Sequence, residues 1–345
     1  MTYPQNFEEK IGFDKIRSLI NDRCLSTLGS SRVSMMNVST SFESIDRLLH
    51  ETEEFTRILQ KEENFPSDFF FDIRPSLQRI RIEGTFLEEI ELFHFRQSWL
   101  TICDIVKFFI PEEEGDVPYP YLKELANPII ASPQWLSKID RILDKSGHVK
   151  DNASPELLRI RQELTHTLAG ISRNLNQILK KAQSEGVVDK EASPTLREGR
   201  LVIPVIPAYK RRIKGIVHDE SASGKTVYIE PEEVVEANNR IRELEGDERR
   251  EIVRILTLFT DELRPYLPDI RRSYEFLADI DFIRAKALFA VEINAKLPRF
   301  ENVRQIEWYH AIHPLLFLSL QKQGKQTIPL DILLTSQQRL SLITI

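Results

Sequence analysis

Hydrophobic positions recur every three or four residues through most of the first 145 residues. In "FESIDRLLHETEEFTRILQKEE" the side chains of Ile45, Leu48, Leu49, Phe55 and Leu59 fall along one face, the spacing of an amphipathic helix. "TFLEEIELFHFRQSWLTICDIVKFF" repeats the pattern, and Thr85 at its head is the expected N-cap. Pro66, Pro75, Pro111, Pro118 and Pro120 punctuate the connections. No catalytic pattern interrupts this stretch, which predicts a packed helical domain.

At Ser154 the apolar stripe narrows. Leu157, Ile160, Leu164, Leu168, Ile171, Leu175, Ile178 and Ala182 step by threes and fours, a seam of coiled-coil type. Ser154 is the expected N-cap and Pro155 the first helical residue, with Glu156 in the first turn. Residues 154–187 then make a rod of roughly 50 Å at 1.5 Å per residue. A second stripe follows Pro231, through Val234, Ile241, Leu244, Ile252, Ile255, Phe259 and Leu263, and stops at Pro265. Equal rods at 154–187 and 231–264 predict an antiparallel pair, with Leu164, Leu168 and Ile171 facing Ile241, Leu244 and Ile252. Gly170 and Gly246 interrupt the rods, as bends or as tolerated glycines.

Between the rods the pattern becomes strand-like. "TLREGRLVIPVIPAYKRRIKGIVHDESASGKTVYIEP" reads as a hairpin turning at Glu198-Gly199 and two further β-rich runs. Gly224-Lys225-Thr226 ends like a phosphate-binding loop. However, G-x-x-x-x-G-K-[ST] needs glycine where Asp219 stands. Such a loop also opens a helix whose N-terminus faces the anion, whereas "KTVYIEP" reads as a strand. The segment is therefore expected to be a turn before a strand. From residue 306, "IEWYHAIHPLLF", "TIPLDILL" and "RLSLITI" are again apolar and β-rich. A domain is not expected to stop on such a strand, so the chain is expected to be a truncated piece of a longer protein.

Composition changes this picture little. At 345 residues, 41% hydrophobic and 29% charged with only 12 glycines, the chain suits two or three soluble, mainly helical units. Cys24 and Cys103 stand far apart and form no metal cluster, which suits a reducing cytoplasm. "MTYPQNFEEK" carries no secretory signal, and no apolar run reaches the ~20 residues of a membrane span. His310 and His313, on an expected strand and with no carboxylate expected nearby, are not expected to hold a metal.

Charge matters locally. The net charge of −6 gives no global argument for nucleic acid. Within 195–229, however, Arg197, Arg200, Lys210, Arg211, Arg212, Lys214 and Lys225 stand against only Glu198, Asp219 and Glu220. That leaves an excess of four positive charges there and −10 on the remainder. A cationic module on an acidic arm is the footprint of a polyanion contact. The same cations could also guard strand edges against pairing. "YKRRIK" would split Lys210 and Arg212 from Arg211 if it were a strand, whereas a loop could aim all of them one way.

Four blocks carry a family resemblance: "GFDKIRSLI", "FFDIRPSLQRI", "GHVKDNASPELLRIRQEL" and "LREGRLVIPVIPAYKRRIKGIVHDESASGKTVYIEPEEVVEANNRIRELE". Together they resemble the MutS family, in its second bacterial branch, whose members carry a C-terminal Smr domain. The resemblance implies a split helical core at 1–153 and 265–305, lever helices at 154–188 and 232–264, and a clamp at 189–231. It implies that 306–345 opens an ABC-type ATPase domain, with the Walker A loop due after "RLSLITI" and His313-Pro314 near the nucleotide base. By itself the chain is then expected to have no ATPase activity, no catalytic residue and no cofactor. ATP with magnesium, a homodimeric ring and a nuclease-type Smr region are implied for a whole protein. Its implied partners are branched or duplex DNA, in recombination suppression and repair, or ribosomal RNA on collided ribosomes. The mismatch-reading Phe-x-Glu domain of repair MutS proteins is missing from the N-terminus, which leaves mismatch recognition without support. The alternative is a structural coiled-coil hub that holds protein partners without binding nucleic acid.

Overall fold

The computed structural model describes residues 6–61, 64–110 and 118–338. It is mainly helical with two small antiparallel sheets, the fold class that the hydrophobic periodicity predicts. Pro111 and the expected strand "RLSLITI" lie outside the described residues. In chain order the first helices are α1 (Phe7–Ile11), α2 (Phe13–Asn21), α3 (Thr27–Met35), α4 (Phe42–Lys61), α5 (Arg74–Arg79), α6 (Glu89–Phe109), α7 (Pro120–Ala126) and α8 (Gln134–Ile142). Then follow α9 (Pro155–Ser184), strands β1 (Thr195–Arg197), β2 (Arg200–Val205), β3 (Gly215–Glu220) and β4 (Val227–Pro231), and helices α10 (Glu232–Leu263) and α11 (Leu267–Glu292). The last elements are β5 (Ile306–Ala311), α12 (Pro314–Gln321) and β6 (Leu330–Leu334). Two compact units result. One comprises Met1–Arg81, Glu91–Ser137 and Arg264–Ile345, the other Ile82–Ile90 with Lys138–Leu263.

In the first unit α11 is the central helix. Ile270, Tyr274, Leu277, Ile280 and Ile283 are buried along it, packed on α2, α3, α4 and α5. Full burial of such a side chain contributes about 1.5–3 kcal/mol. One buried carboxylate of this unit serves a helix end. The carboxylate of Glu54, 1% exposed, accepts from the amides of Tyr121 (3.1 Å) and Leu122 (2.9 Å) in the first turn of α7. Thr85 is not the N-cap expected of it. Helix α6 starts at Glu89, and the Thr85 hydroxyl instead donates to the Ile82 carbonyl at 2.7 Å, closing a turn ahead of the helix. Cys24 and Cys103 are free and half-buried, and burial pushes both thiols up to about 12.

Residues 306–338 depart from the strand-only expectation. Strands β5 and β6 pair antiparallel, but "HPLLF" lies in a helix between them. Pro314 at the first position fixes a helical φ, and His313 Nδ1 accepts from the Leu316 amide at 3.4 Å. Much of this segment's apolar surface faces solvent, with Trp308 53% and Tyr309 73% exposed.

In the second unit α9 and α10 run antiparallel, shown by three cross-links at successive heights. Ser154 Oγ donates to Glu251 (2.6 Å), Arg161 Nε to Glu248 (2.7 Å), and Arg240 to Glu163 (2.6 Å). Ser154 also accepts from the Leu157 amide at 3.0 Å, as its N-cap position requires. Helix α9 ends before the expected residue 187, because Gly186, in the left-handed region at φ 72, turns the chain out of it, and α10 is one residue shorter at each end than the expected 231–264.

The seam differs from the expected stripe in one place. Ile171, Leu175, Leu179 and Ala182 are buried with Val234 and Ile241, but Leu168 is 36% exposed and Ile178 gives way to Leu179. A straight helix drifts against a strict seven-residue repeat, so the stripe rotates off the seam near Leu168. There the Arg161–Glu248 and Arg240–Glu163 ion pairs bridge the helices instead. Leu175→Ala is therefore expected to cost ~2–5 kcal/mol, whereas Leu168→Ala should cost less, about 1–2 kcal/mol, because about a third of that side chain is already exposed. Thermal unfolding of the two variants side by side checks the ranking.

Candidate nucleic-acid interface

The module between α9 and α10 is a sheet of order β1-β2-β4-β3. Its first hairpin turns at Glu198 (φ 48) and Gly199 (φ 74), with Arg197 paired to Arg200. Two successive positive φ angles are the signature of a two-residue hairpin that follows strand twist. The second turn is Ser221–Thr226, closed by the Ser221 amide donating to the Thr226 carbonyl at 2.9 Å. Gly224-Lys225-Thr226 thus lies in a β-turn, not at a helix N-terminus.

Ile203, Val205, Val227 and Ile229 form the sheet's core with Val187, Val188, Leu179, Ala182 and Val234. This seats the module on the end of the helix pair opposite to Ser154 and Glu251.

Strands β2 and β3 lie on opposite sides of β4, so the chain must cross over after Val205. That crossover, residues 206–214, carries Lys210, Arg211, Arg212 and Lys214. Ile206 ties it down through its amide to the Val187 carbonyl (3.3 Å), and Ile213 packs into the core. Lys210–Arg212 sit in a turn, not a strand, so the alternation that would have separated Arg211 does not apply. Among the described residues these four cations and Lys225 are exposed and no carboxylate pairs with them. The Arg212 guanidinium lies 5.3 Å from the Tyr209 ring. Val205 pairs with Val227, so the start of the crossover and the Lys225 turn share the end of the sheet away from α10.

The other two candidates are placed differently. Arg200 Nη1 donates to both oxygens of Glu230 (2.7 and 3.0 Å) and Nη2 to Asn239 (2.8 Å), leaving its side chain 15% exposed. Glu230, 0% exposed, also meets His218 Nε2 at 2.5 Å and accepts from Asn238 Nδ2 at 2.8 Å. Burial pushes the Glu230 carboxyl up, but hydrogen bonds from His218, Asn238 and Arg200 outweigh it and hold the carboxyl below its ordinary value. Arg197 lies over the Tyr228 ring at 4.3 Å and donates to its hydroxyl at 2.9 Å, with Asp219 at 3.8 Å. Arg200 is thus a fastening of the module, and Arg197 is half-engaged. Glu230, His218 and Asn238 do not stand out in the sequence as partners of this site. One signal is present, a carboxylate in the otherwise apolar strand "VYIEP".

His313, expected near a nucleotide base, caps α12 beside Pro314. The glycine-containing Ser221–Thr226 segment is a hairpin turn, and His313 is engaged with a helix end. His310, contrary to the sequence expectation, does have a carboxylate beside it. Asp331 lies 3.7 Å from its ring and accepts from its amide at 2.6 Å. Among the described residues no group of three or more His, Cys, Asp or Glu side chains could hold a metal ion. Nor is any of their helices long and apolar enough to cross a membrane.

No family model matches the chain. Curated relatives do. A protein of Geobacillus sp. is 35% identical over 304 residues, 88% of this chain and 38% of the relative. One of Levilactobacillus brevis is 33% identical over the same shares, and one of Finegoldia magna 32% identical over 335 residues, 96% of this chain and 41% of the relative. Each is named "Endonuclease MutS2". The chain spans about two fifths of the length of these relatives. With a helix pair, an inserted β module and this identity sustained over about nine tenths of its residues, the chain belongs to the MutS2 family.

Proposed function

We propose that this chain is the nucleic-acid-binding core, lever and clamp region of a MutS2-type ATPase, and that its β module contacts the phosphate backbone. The observation that carries the reading is the set Lys210, Arg211, Arg212, Lys214 and Lys225, solvent-facing and without carboxylate partners among the described residues, on a module otherwise closely packed. Five such cations on one small sheet gain from a polyanion by counterion release. Tyr209 lies under Arg212 and Tyr228 under Arg197, so the β module itself offers stacked single strands no free aromatic platform. A duplex or structured substrate fits better, contacted for position and not for sequence. In the family's scheme the divisions are core 1–153 and 265–305, levers 154–188 and 232–264, clamp 189–231 and an ATPase opening at 306–345. The exposed apolar face of β5, α12 and β6 supports that last division, as a surface that further ATPase structure would cover. For the whole protein we propose a cytoplasmic homodimer that uses ATP and magnesium to close on branched DNA or on the ribosomal RNA of collided ribosomes. The nuclease activity in the relatives' name is assigned to no residue of this chain.

Salt titration tests the reading. If about four phosphates are neutralised, log K for duplex DNA should fall against log salt with a slope near −3.6. Lys210→Glu/Arg211→Glu/Arg212→Glu should flatten that slope and weaken binding to linear DNA, branched DNA and ribosomal RNA alike. The ranking of these ligands by the wild type identifies the preferred target. Equal affinity of wild type and triple variant would leave the protein-hub reading in its place.

A further inference from the structure

A second cationic surface lies in the helical unit. Arg74, Leu77, Gln78 and Arg81 from α5 and the residues after it, with Arg264, Leu267, Pro268, Arg271 and Glu275 around the start of α11, line a groove of about 1000 Å³. Four arginines there face one carboxylate, and that carboxylate is engaged, since Glu275 accepts from Arg32 at 3.0 Å and lies 3.7 Å from Arg74. Arg74 is held by Asp72 through two guanidinium bonds of 2.9 and 2.8 Å. Arg264 donates from Nε to the Ile80 carbonyl at 2.9 Å, which fixes its guanidinium at the wall. Arg81 and Arg271 are exposed. Among the described residues Arg81 reaches Gln78 at 3.4 Å, and neither Arg81 nor Arg271 has a carboxylate partner there. Asp269, the acidic residue in the first turn of α11, pairs away with Arg272 at 3.6 Å. The N-cap, Tyr266, gives no side-chain hydrogen bond to that helix end.

We infer that this groove is a second phosphate contact of the chain, taking the phosphodiester backbone of a nucleic acid independently of the β module. Guanidinium forks suit phosphate oxygens, which two arginines can meet bidentately. The apolar lining is aliphatic, from Leu77, Leu267 and Pro268, and holds no aromatic ring on which a base could stack. The occupant is therefore a backbone and not a base. The inference deepens the nucleic-acid reading above, and it rests on that reading only for the class of ligand.

The experiment measures binding of the whole 345-residue chain to a duplex DNA oligonucleotide across a salt series. It compares wild type, Arg81→Ala/Arg271→Ala and the module triple variant. Both groove positions are exposed, so the fold should be retained, and unchanged thermal unfolding verifies it. The groove variant is expected to flatten the log–log salt slope by about 1.8, as two fewer neutralised phosphates require, whereas Arg81→Lys/Arg271→Lys should keep the slope. Weaker binding by the groove variant with none by the triple variant would uphold the groove and sink the module. A slope unchanged in the groove variant while the triple variant loses affinity would overturn the groove alone. No change in either would overturn both. A groove that takes only free inorganic phosphate, seen as phosphate binding abolished in the groove variant with DNA binding intact, would also overturn the inference.

Discussion

Glu230→Ala is expected to unfold the β module at neutral pH. The carboxylate is completely buried and accepts from Arg200 and Asn238 while His218 lies within hydrogen-bond distance. Removing it strands the nearly buried Arg200 guanidinium opposite alanine, and breaking one side of a buried pair costs about 3–5 kcal/mol. The loss falls on a small sheet otherwise held by its apolar contact with Leu179, Ala182, Val187, Val188 and Val234 and by the Asn238 hydrogen bonds to the Leu201 backbone. Protection of amides in 195–231 should therefore collapse, whereas α11, in the other compact unit, should keep its protection. Hydrogen exchange of both segments in one sample checks this. The pH dependence has a definite sign. The folded carboxyl is held below its ordinary value of 4.5, so its contribution is fully present above the unfolded value and is lost as pH falls through the folded one. Acidification below about pH 4.5 should loosen the wild-type module further, and Glu230→Gln should flatten that dependence. Intact protection in Glu230→Ala would show that the apolar contacts alone hold the sheet.

How legible these features are in sequence depends on the range of the forces that make them. Ser154-Pro155-Glu156 is a local signal, and the N-cap it predicts is present. Glu198-Gly199 is likewise local, because only a turn accepting positive φ can join two strands in two residues. Leu168 fails because its burial is decided across the helix pair, where drift against the heptad and the choice of Arg161 and Glu163 partners are set by α10. The basic set in 195–229 is visible as composition. Which members are free is not, since Arg200 finds Glu230 thirty residues on through sheet pairing. Thr85 shows the same limit at a helix start. A good capping residue is present, but the chain enters α6 four residues later.

Gly29→Ala is expected to be among the most damaging single-methyl changes in the helical unit. A Cβ on Gly29 would lie 2.5 Å from Asp281 Oδ2 and 2.6 Å from its Cγ. Asp281, fully buried on α11, there receives the amides of Leu25 (2.7 Å), Ser26 (3.1 Å) and Gly29 (3.1 Å) together with the Ser26 hydroxyl (3.1 Å). These are the donors at the start of α3, which a helix cannot satisfy by itself. The methyl group must push the carboxylate aside, and each buried donor so orphaned costs about 1–3 kcal/mol. Asp281→Ala orphans the same donors without the clash, so it should destabilise by a similar amount. The two losses then share one cause and cannot add. In the Asp281→Ala background the Gly29→Ala change has no carboxylate to displace, and its further cost should be under about 1 kcal/mol. The double-mutant cycle should accordingly return a coupling of about 1–3 kcal/mol. Denaturant unfolding of wild type, both single variants and the double variant measures it. Additive losses would mean that α3 shifts bodily away from α11 to admit the methyl group, leaving the Asp281 hydrogen bonds intact.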